Sequence, residues 1–209
     1  MSIKITPKQE GVVIGSILGD GYVQKTGSKN ARLRYEHSSK QKLYLVWKVS
    51  VLGTLFNGKP VFVERVHPKT NKTYKYVRHQ SNSTPYLGKL RKIFYPEGRK
   101  IIPSNLQDLL KHPISLAVWF FDDGYLCKKH QGSYLYLGKV SSEEATVAQI
   151  AIHHNFDIDS KAIMVSPNQS HPTPRLSGWL RIGVWNWLKS KKDSVYIGIV
   201  KYFFAFKSF

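Results

Sequence analysis

The chain is short of three things. Its 209 residues include one cysteine, only 13 acidic side chains against 32 basic ones, and no apolar run of the roughly 18 residues that a membrane-spanning helix needs. The single Cys127 excludes a disulfide framework and any cysteine-based zinc centre, and it reads as a structural side chain. Without a long apolar run, no membrane partner is expected. The opening MSIKITPKQE has no apolar core of the signal-peptide kind, so an intracellular protein that is not secreted is expected. The shortage of acids leaves a formal charge of +19 and a pI near 10.0, which points to a polyanionic partner, above all nucleic acid. Hydrophobic residues at 42% and charged residues at 22% are ordinary for a globular protein, and the length suits one domain or two small ones.

The excess charge is unevenly placed. Residues 1–105 carry 20 Lys+Arg and 5 acids, against 12 and 8 in residues 106–209. No basic block accounts for this; the bases alternate with apolar residues, as on a folded surface. The chain also repeats itself loosely. GVVIGSILGDGY at 11–22 and ISLAVWFFDDGY at 114–125 are both apolar runs closed by an acid, a glycine and a tyrosine. Asp20 and Asp123 lie 103 residues apart, about half the chain, which predicts two similar units, 1–105 and 106–209.

Both runs read as buried helices, about 7–20 and 113–123, because they are apolar on nearly every face. Thr6, Pro7 and Gln9 form a capping box with proline at the first helical position; His112 and Pro113 open the second helix less well. Gly21 and Gly124 are placed to end each helix in a left-handed residue. Gly11, Gly15 and Gly19 share one face, where another backbone should come close, and the matching positions of the other repeat are Ile114, Val118 and Asp122. Strand-like alternation follows each run, over 31–37 and 73–79, then over 134–140 and 179–184. In the third of these, Tyr134 and Tyr136 alternate with Leu135, Leu137 and Lys139. Helices are expected over 41–58, with Leu43, Trp47, Val51 and Leu55 on one face, and over 84–95, 141–156 and 193–204. The fold class is therefore α+β, two αββαββα units linked by residues 96–112.

An Asp-Gly after a helix is ordinarily a turn. Two such helices packed side by side, however, bring Asp20 and Asp123 together at helix C-termini, where the dipole is already negative. A divalent cation would relieve that crowding, and oxygen-only ligands suit Mg²⁺ (or Mn²⁺). Such an ion held by few carboxylates is the arrangement of phosphodiester hydrolysis.

The two runs resemble the paired motifs of the LAGLIDADG homing endonucleases in their single-chain form. The residues that carry this are VIGSILGDG at 13–21, LAVWFFDDG at 116–124 and FYPEGRKIIPSNL at 94–106. The resemblance implies a saddle of two four-stranded sheets over the DNA major groove, with the motif helices at the interface and both strands cut to leave short 3′ overhangs. It implies that Asp20 and Asp123 are the catalytic metal ligands, with the carbonyls of Gly19 and Asp122 as supplementary ligands. Lys100 would be the active-site lysine that steadies charge. The second half departs from this pattern: aligning residues 84–100 with 193–209 places Phe209 opposite Lys100, so Lys207, the nearest base, is put forward as the counterpart, with Lys201 next. The partners implied are double-stranded DNA with a long target site, bound by a monomer, and host intron RNA. An intron-borne copy would work in a mitochondrion or chloroplast, any other in the cytoplasm.

By face and residue type, the first-half DNA contacts are Lys25, Lys29, Arg32, Arg34, Arg65, Lys69, Lys72, Lys75 and Arg78. Those of the second half are Lys128, Lys129, Gln131, Lys139, Asn168, Gln169, Arg175 and Arg181. Trp47, Trp119, Trp179, Trp185 and Trp187 read as core, and His153-His154-Asn155 as part of an amphipathic helix. The competing function on the same fold is an RNA maturase assisting group I intron splicing, or a regulator that binds DNA without cutting.

Overall fold

The computed structural model describes residues 4–127, 132–165 and 176–190. Lys128, Lys129, Gln131, Asn168, Gln169, Arg175, Lys201, Lys207 and the helix expected over 193–204 lie outside the described residues.

Helix α1 (Pro7–Leu18) begins where the sequence says it should. Thr6 Oγ1 accepts from Gln9 N at 3.3 Å and Gln9 Oε1 accepts from Thr6 N at 3.0 Å. Strands β1 (Tyr22–Lys25) and β2 (Ala31–Ser38) follow, then α2 (Lys42–Leu52), β3 (Val61–Val66), β4 (Thr73–Gln80) and α3 (Pro85–Phe94). A one-turn helix α4 (Leu106–Leu109) lies in the link. The second unit runs α5 (Pro113–Asp123), β5 (Gly124–Cys127), β6 (Gly132–Val140), α6 (Ser142–Phe156), β7 (Ser160–Val165), β8 (Leu176–Ile182) and α7 (Val184–Ser190). The sheets have the orders β1-β2-β4-β3 and β5-β6-β8-β7, antiparallel throughout, so one topology occurs twice. Buried side chains of both units join in one core.

The helices α1 and α5 pack side by side along the glycine stripe. A Cβ added at Gly11 would lie 2.7 Å from Ile114 Cγ2, at Gly15 2.9 Å from Val118 Cβ, and at Gly19 2.4 Å from Asp122 Cβ. These distances are below van der Waals contact, so glycine is what lets the backbones approach.

Several expectations need correction. Neither Gly21 nor Gly124 is left-handed: α1 is capped by Gly19, and Gly124 has φ −81°. Glycine is needed there for space, since a Cβ would meet Ser16 O at 2.6 Å or Phe120 O at 2.2 Å. In α2 the buried face is Tyr44, Leu45, Lys48 and Leu52, while Leu43 is 63% exposed, because the helix turns Lys48 inward. Strand β8 ends at Ile182, and residues 184–190 are helical. Trp119 is core, but Trp179 packs against Tyr136 on the outer sheet face, ring centroids 4.6 Å apart and planes tilted by 41°. Finally, the register of β6 shifts between Tyr136 and Gly138, where Gly138 has φ +81°. The bulge moves Lys139 from the face of Leu137 to that of Tyr134 and Tyr136, opposite Ser177.

Candidate functional site

The C-terminal ends of α1 and α5 meet beneath the two sheets. Gly19 has no side chain, and the space is filled by Asp122. Oδ2 of Asp122 accepts from the main-chain N–H of Asp20 at 3.3 Å. The same carboxylate receives Lys48 Nζ at 3.1 and 3.3 Å. Lys48 is fully buried, and its ammonium also lies over the rings of Tyr35 and Tyr44, 4.4 and 4.5 Å from their centroids. Tyr35 in turn donates to Ser16 Oγ at 3.0 Å, tying β2 to α1. Burial raises the Tyr44 hydroxyl well above its usual range, and the charges of Asp122 and Asp20 add to the effect.

Asp20 lies just beyond α1, with its side chain 43% exposed and Oδ2 3.7 Å from His37 Nδ1. Asp123 ends α5 and is half-buried. Lys100 donates to Gly19 O at 2.7 Å and to Leu18 O at 3.1 Å, so its ammonium caps the negative end of α1. Burial lowers its pKa, while Asp123, Asp20 and Asp122 pull it back up. The structure therefore brings Asp20, Asp123, Asp122, Gly19 and Lys100 together, with the Asp122 side chain, rather than its carbonyl alone, taking part. It also adds Lys48 and His37, which sequence reasoning missed.

No group of three or more His, Cys, Asp or Glu side chains that could hold a metal ion exists among the described residues. The donor set suits a hard dication more modestly. Two carboxylates from opposite halves, Asp20 and Asp123, offer oxygen donors at helix C-termini, with the His37 ring nitrogen 3.7 Å from Asp20. The Asp122 side chain is committed to Lys48, which leaves its carbonyl for such a role, and the Gly19 carbonyl already accepts from Lys100.

The outer face of the first sheet carries Arg32 and Arg34 on β2, Arg65 on β3 and Arg78 on β4. Glu36 binds Arg65 through both guanidinium nitrogens at 2.5 and 3.0 Å, and Arg78 Nε at 2.7 Å. A groove of about 510 Å³ on this face is lined by Arg32, Arg34, Lys59 and Arg78, among others. Lys69 and Lys72 lie in the β3–β4 turn, exposed. Lys25 and Lys75 belong by register to the opposite face, and Lys75 is paired with Glu64 at 3.0 Å. Lys25 and Lys29 line a separate depression with Arg91 and Lys92. On the second sheet, the outer face holds Tyr125, Tyr134, Tyr136 and Trp179, with Lys139, Lys161 and Arg181. Lys161 was not foreseen; it sits opposite Arg181. Lys139 and Lys100, one from each half, line a common cavity of about 350 Å³ with Arg99 and Trp119. No described helix is long and apolar enough to cross a membrane.

The profile of the LAGLIDADG DNA endonuclease family matches residues 10–179. The RecA protein of Mycobacterium gastri is 30% identical over 136 residues, 61% of this chain and 29% of its own. DNA endonuclease I-ChuI of Chlamydomonas applanata is 31% identical over 134 residues, 59% of this chain and 61% of its own. Cytochrome b mRNA maturase bI2 of Debaryomyces hansenii is 26% identical over 117 residues, 54% of this chain and 44% of its own. The chain thus spans less than two thirds of each of these relatives. Among solved structures, homing endonuclease I-WcaI bound to its DNA recognition sequence superposes with a TM-score of 0.72 and 23% identity, covering 96% of this chain and 83% of that one. A variant of I-DmoI with its nicked target DNA in the presence of manganese gives 0.50 and 12% identity, covering 93% and 96%. At these identities the likenesses establish the fold, two α+β units in the arrangement of homing endonucleases.

Proposed function

Because this chain belongs to the LAGLIDADG DNA endonuclease family, we propose that it is a site-specific endonuclease that cuts both strands of a long duplex target and leaves 3′ overhangs. The observation that carries the reading is the meeting of Asp20 and Asp123, one from each repeat, at the paired ends of α1 and α5 beside Lys100. A single chain supplies both carboxylates, in keeping with a monomer.

In this reading Asp20 and Asp123 hold Mg²⁺ (or Mn²⁺), which when bound supplies an activated water and neutralises phosphate charge. Lys100 presents an ammonium from the C-terminus of α1 and steadies charge at the nearer scissile phosphate. The outer faces of the two sheets seat the duplex, through arginines and tyrosines on one and through aromatic side chains with Lys139, Lys161 and Arg181 on the other. No side chain needs to form a covalent intermediate. An intron- or intein-borne gene, working in an organelle or the cytoplasm, fits this role.

The test is cleavage selection from a randomised duplex library with Mg²⁺. One recovered long sequence, cut on both strands only when the cation is present, is the expected result; no cut product with Mg²⁺ or Mn²⁺ overturns it. A second reading, as an RNA maturase, is favoured by the match to the bI2 protein and by the aromatic side chains on the outer face of the second sheet, since unpaired RNA bases stack on such rings. Tighter binding to structured intron RNA than to any selected duplex would support it.

A further inference from the structure

The two halves of the centre are unlike at one position. Where α1 has Gly19, α5 has Asp122, and a third carboxylate is thereby brought against the main chain of Gly19 and Asp20. A carboxylate buried there is costly unless a cation meets it. The cation comes from α2. Lys48 projects from the middle of that helix, is wholly screened from solvent, touches both carboxylate oxygens and is walled in by the rings of Tyr35 and Tyr44. With its oxygens so placed, Asp122 holds the Asp20 main-chain N–H through Oδ2.

We infer that Lys48 and Asp122 form a clamp that fixes the main chain at Asp20 and so sets where the Asp20 carboxylate points. Lys48 is a positioning residue on this account. It reaches no substrate and acts through Asp122. The inference rests on the reading that Asp20 is catalytic.

Three variants separate positioning from mere packing. Lys48→Met leaves a buried carboxylate without its cation, so Asp122 swings away from Asp20. Lys48→Met with Asp122→Asn removes the charge but keeps an oxygen that can accept from Asp20 N. Lys48→Met with Asp122→Ala removes charge and acceptor together. Each is assayed for cation-free duplex binding, for single-turnover cleavage of the selected target, and for hydrogen exchange of the Asp20 amide in the metal-free protein.

Lys48→Met should cleave about 10²-fold more slowly, the scale of a misplaced catalytic group, with duplex binding little changed and faster exchange at Asp20. The Asn double variant should recover most of the rate and the protection; the Ala double variant should recover neither. Equal recovery by both double variants would mean that only the stray charge matters, and the clamp would be overturned. It would also be overturned if Lys48→Met, or the folded Asn double variant, left Asp20 exchange and cleavage moving independently. Should the native chain cut no duplex at all, the endonuclease reading fails by itself, and the exchange measurements still decide the clamp.

Discussion

The two sheets share strand order and differ in the chemistry of their outer faces. The first presents Arg32, Arg34, Arg65 and Arg78, with Glu36 gripping the last two and Tyr22, Tyr74 and Tyr76 on the same face. The second presents Tyr125, Tyr134, Tyr136 and Trp179 with Lys139, Lys161 and Arg181, three bases among the described residues against the first sheet's four arginines. Their inner faces are alike: Leu33 and Tyr35 on β2, Leu135 and Leu137 on β6, all buried. What repeats is therefore what the core requires, and what diverges is the face that would meet the duplex in the proposed function. Arginines grip phosphates and guanine edges, whereas rings and apolar side chains meet sugars and thymine methyls. The first half should supply most of the electrostatic attraction, and the second more of the salt-independent contact.

At the centre the two aspartates should matter equally, and the largest effect tests that. Asp20→Asn and Asp123→Asn should each abolish cleavage of both strands while duplex binding persists. Measured on an end-labelled target, undiminished cutting by either would remove the pairing of the two halves. Lys100 comes from the first half's side and sits on the α1 carbonyls. Lys100→Met should therefore slow one strand far more than the other, by roughly 10²–10³, the loss of one transition-state contact. Nicked duplex would then accumulate before linear product. Equal slowing of both strands would mean that Lys100 serves the whole centre.

Local signals made much of this legible. A capping box depends on residues three apart, and the one expected at Thr6 is present; Ser141 and Glu144 form another, Ser141 N reaching Glu144 Oε2 at 2.7 Å. The glycine stripe named its own partners, since close helices demand small residues opposite large ones. Lys48 was hidden for the opposite reason. A lysine in an apolar helix looks solvated until its partner is known, and Asp122 lies 74 residues away. Alternation shows that a strand has two faces but not which one is covered, so Trp179 was assigned inward. Lys139 was misplaced because one bulge at Gly138 reverses the parity of everything after it.

The contrast of faces can be sharpened by salt. Arg32→Gln with Arg34→Gln should flatten the log–log salt dependence of duplex binding by up to about two units, near one per phosphate contact. Tyr136→Ala or Trp179→Ala should weaken binding by roughly 1–2 kcal/mol, the scale of a lost ring contact, with the slope unchanged. A slope change from the aromatic pair, or none from the arginine pair, would dissolve the distinction between the halves.

The smallest effect concerns Glu36, the acid among the arginines. Burial alone would raise its pKa, but hydrogen bonds from Arg65 and Arg78 outweigh burial and hold it below the usual carboxylate range. A depressed folded-state pKa stabilises the protein above the unfolded carboxylate's titration, and that contribution is lost as pH falls through the folded value. Glu36→Gln should thus lower stability by no more than about 1 kcal/mol at neutral pH, because the pairs are partly exposed. The gap between native and variant melting temperatures should close under acid, at pH below the ordinary carboxylate value. On DNA the sign reverses. Freeing two guanidiniums and removing one negative charge should tighten binding a few-fold at low salt and steepen the salt slope by up to about two units. Stability and affinity would then move oppositely in one variant, as expected if Glu36 holds the arginines back from phosphate. Weaker binding instead would show that Glu36 aims Arg65 and Arg78 at base edges, and the first face would be a reader of sequence more than a source of charge.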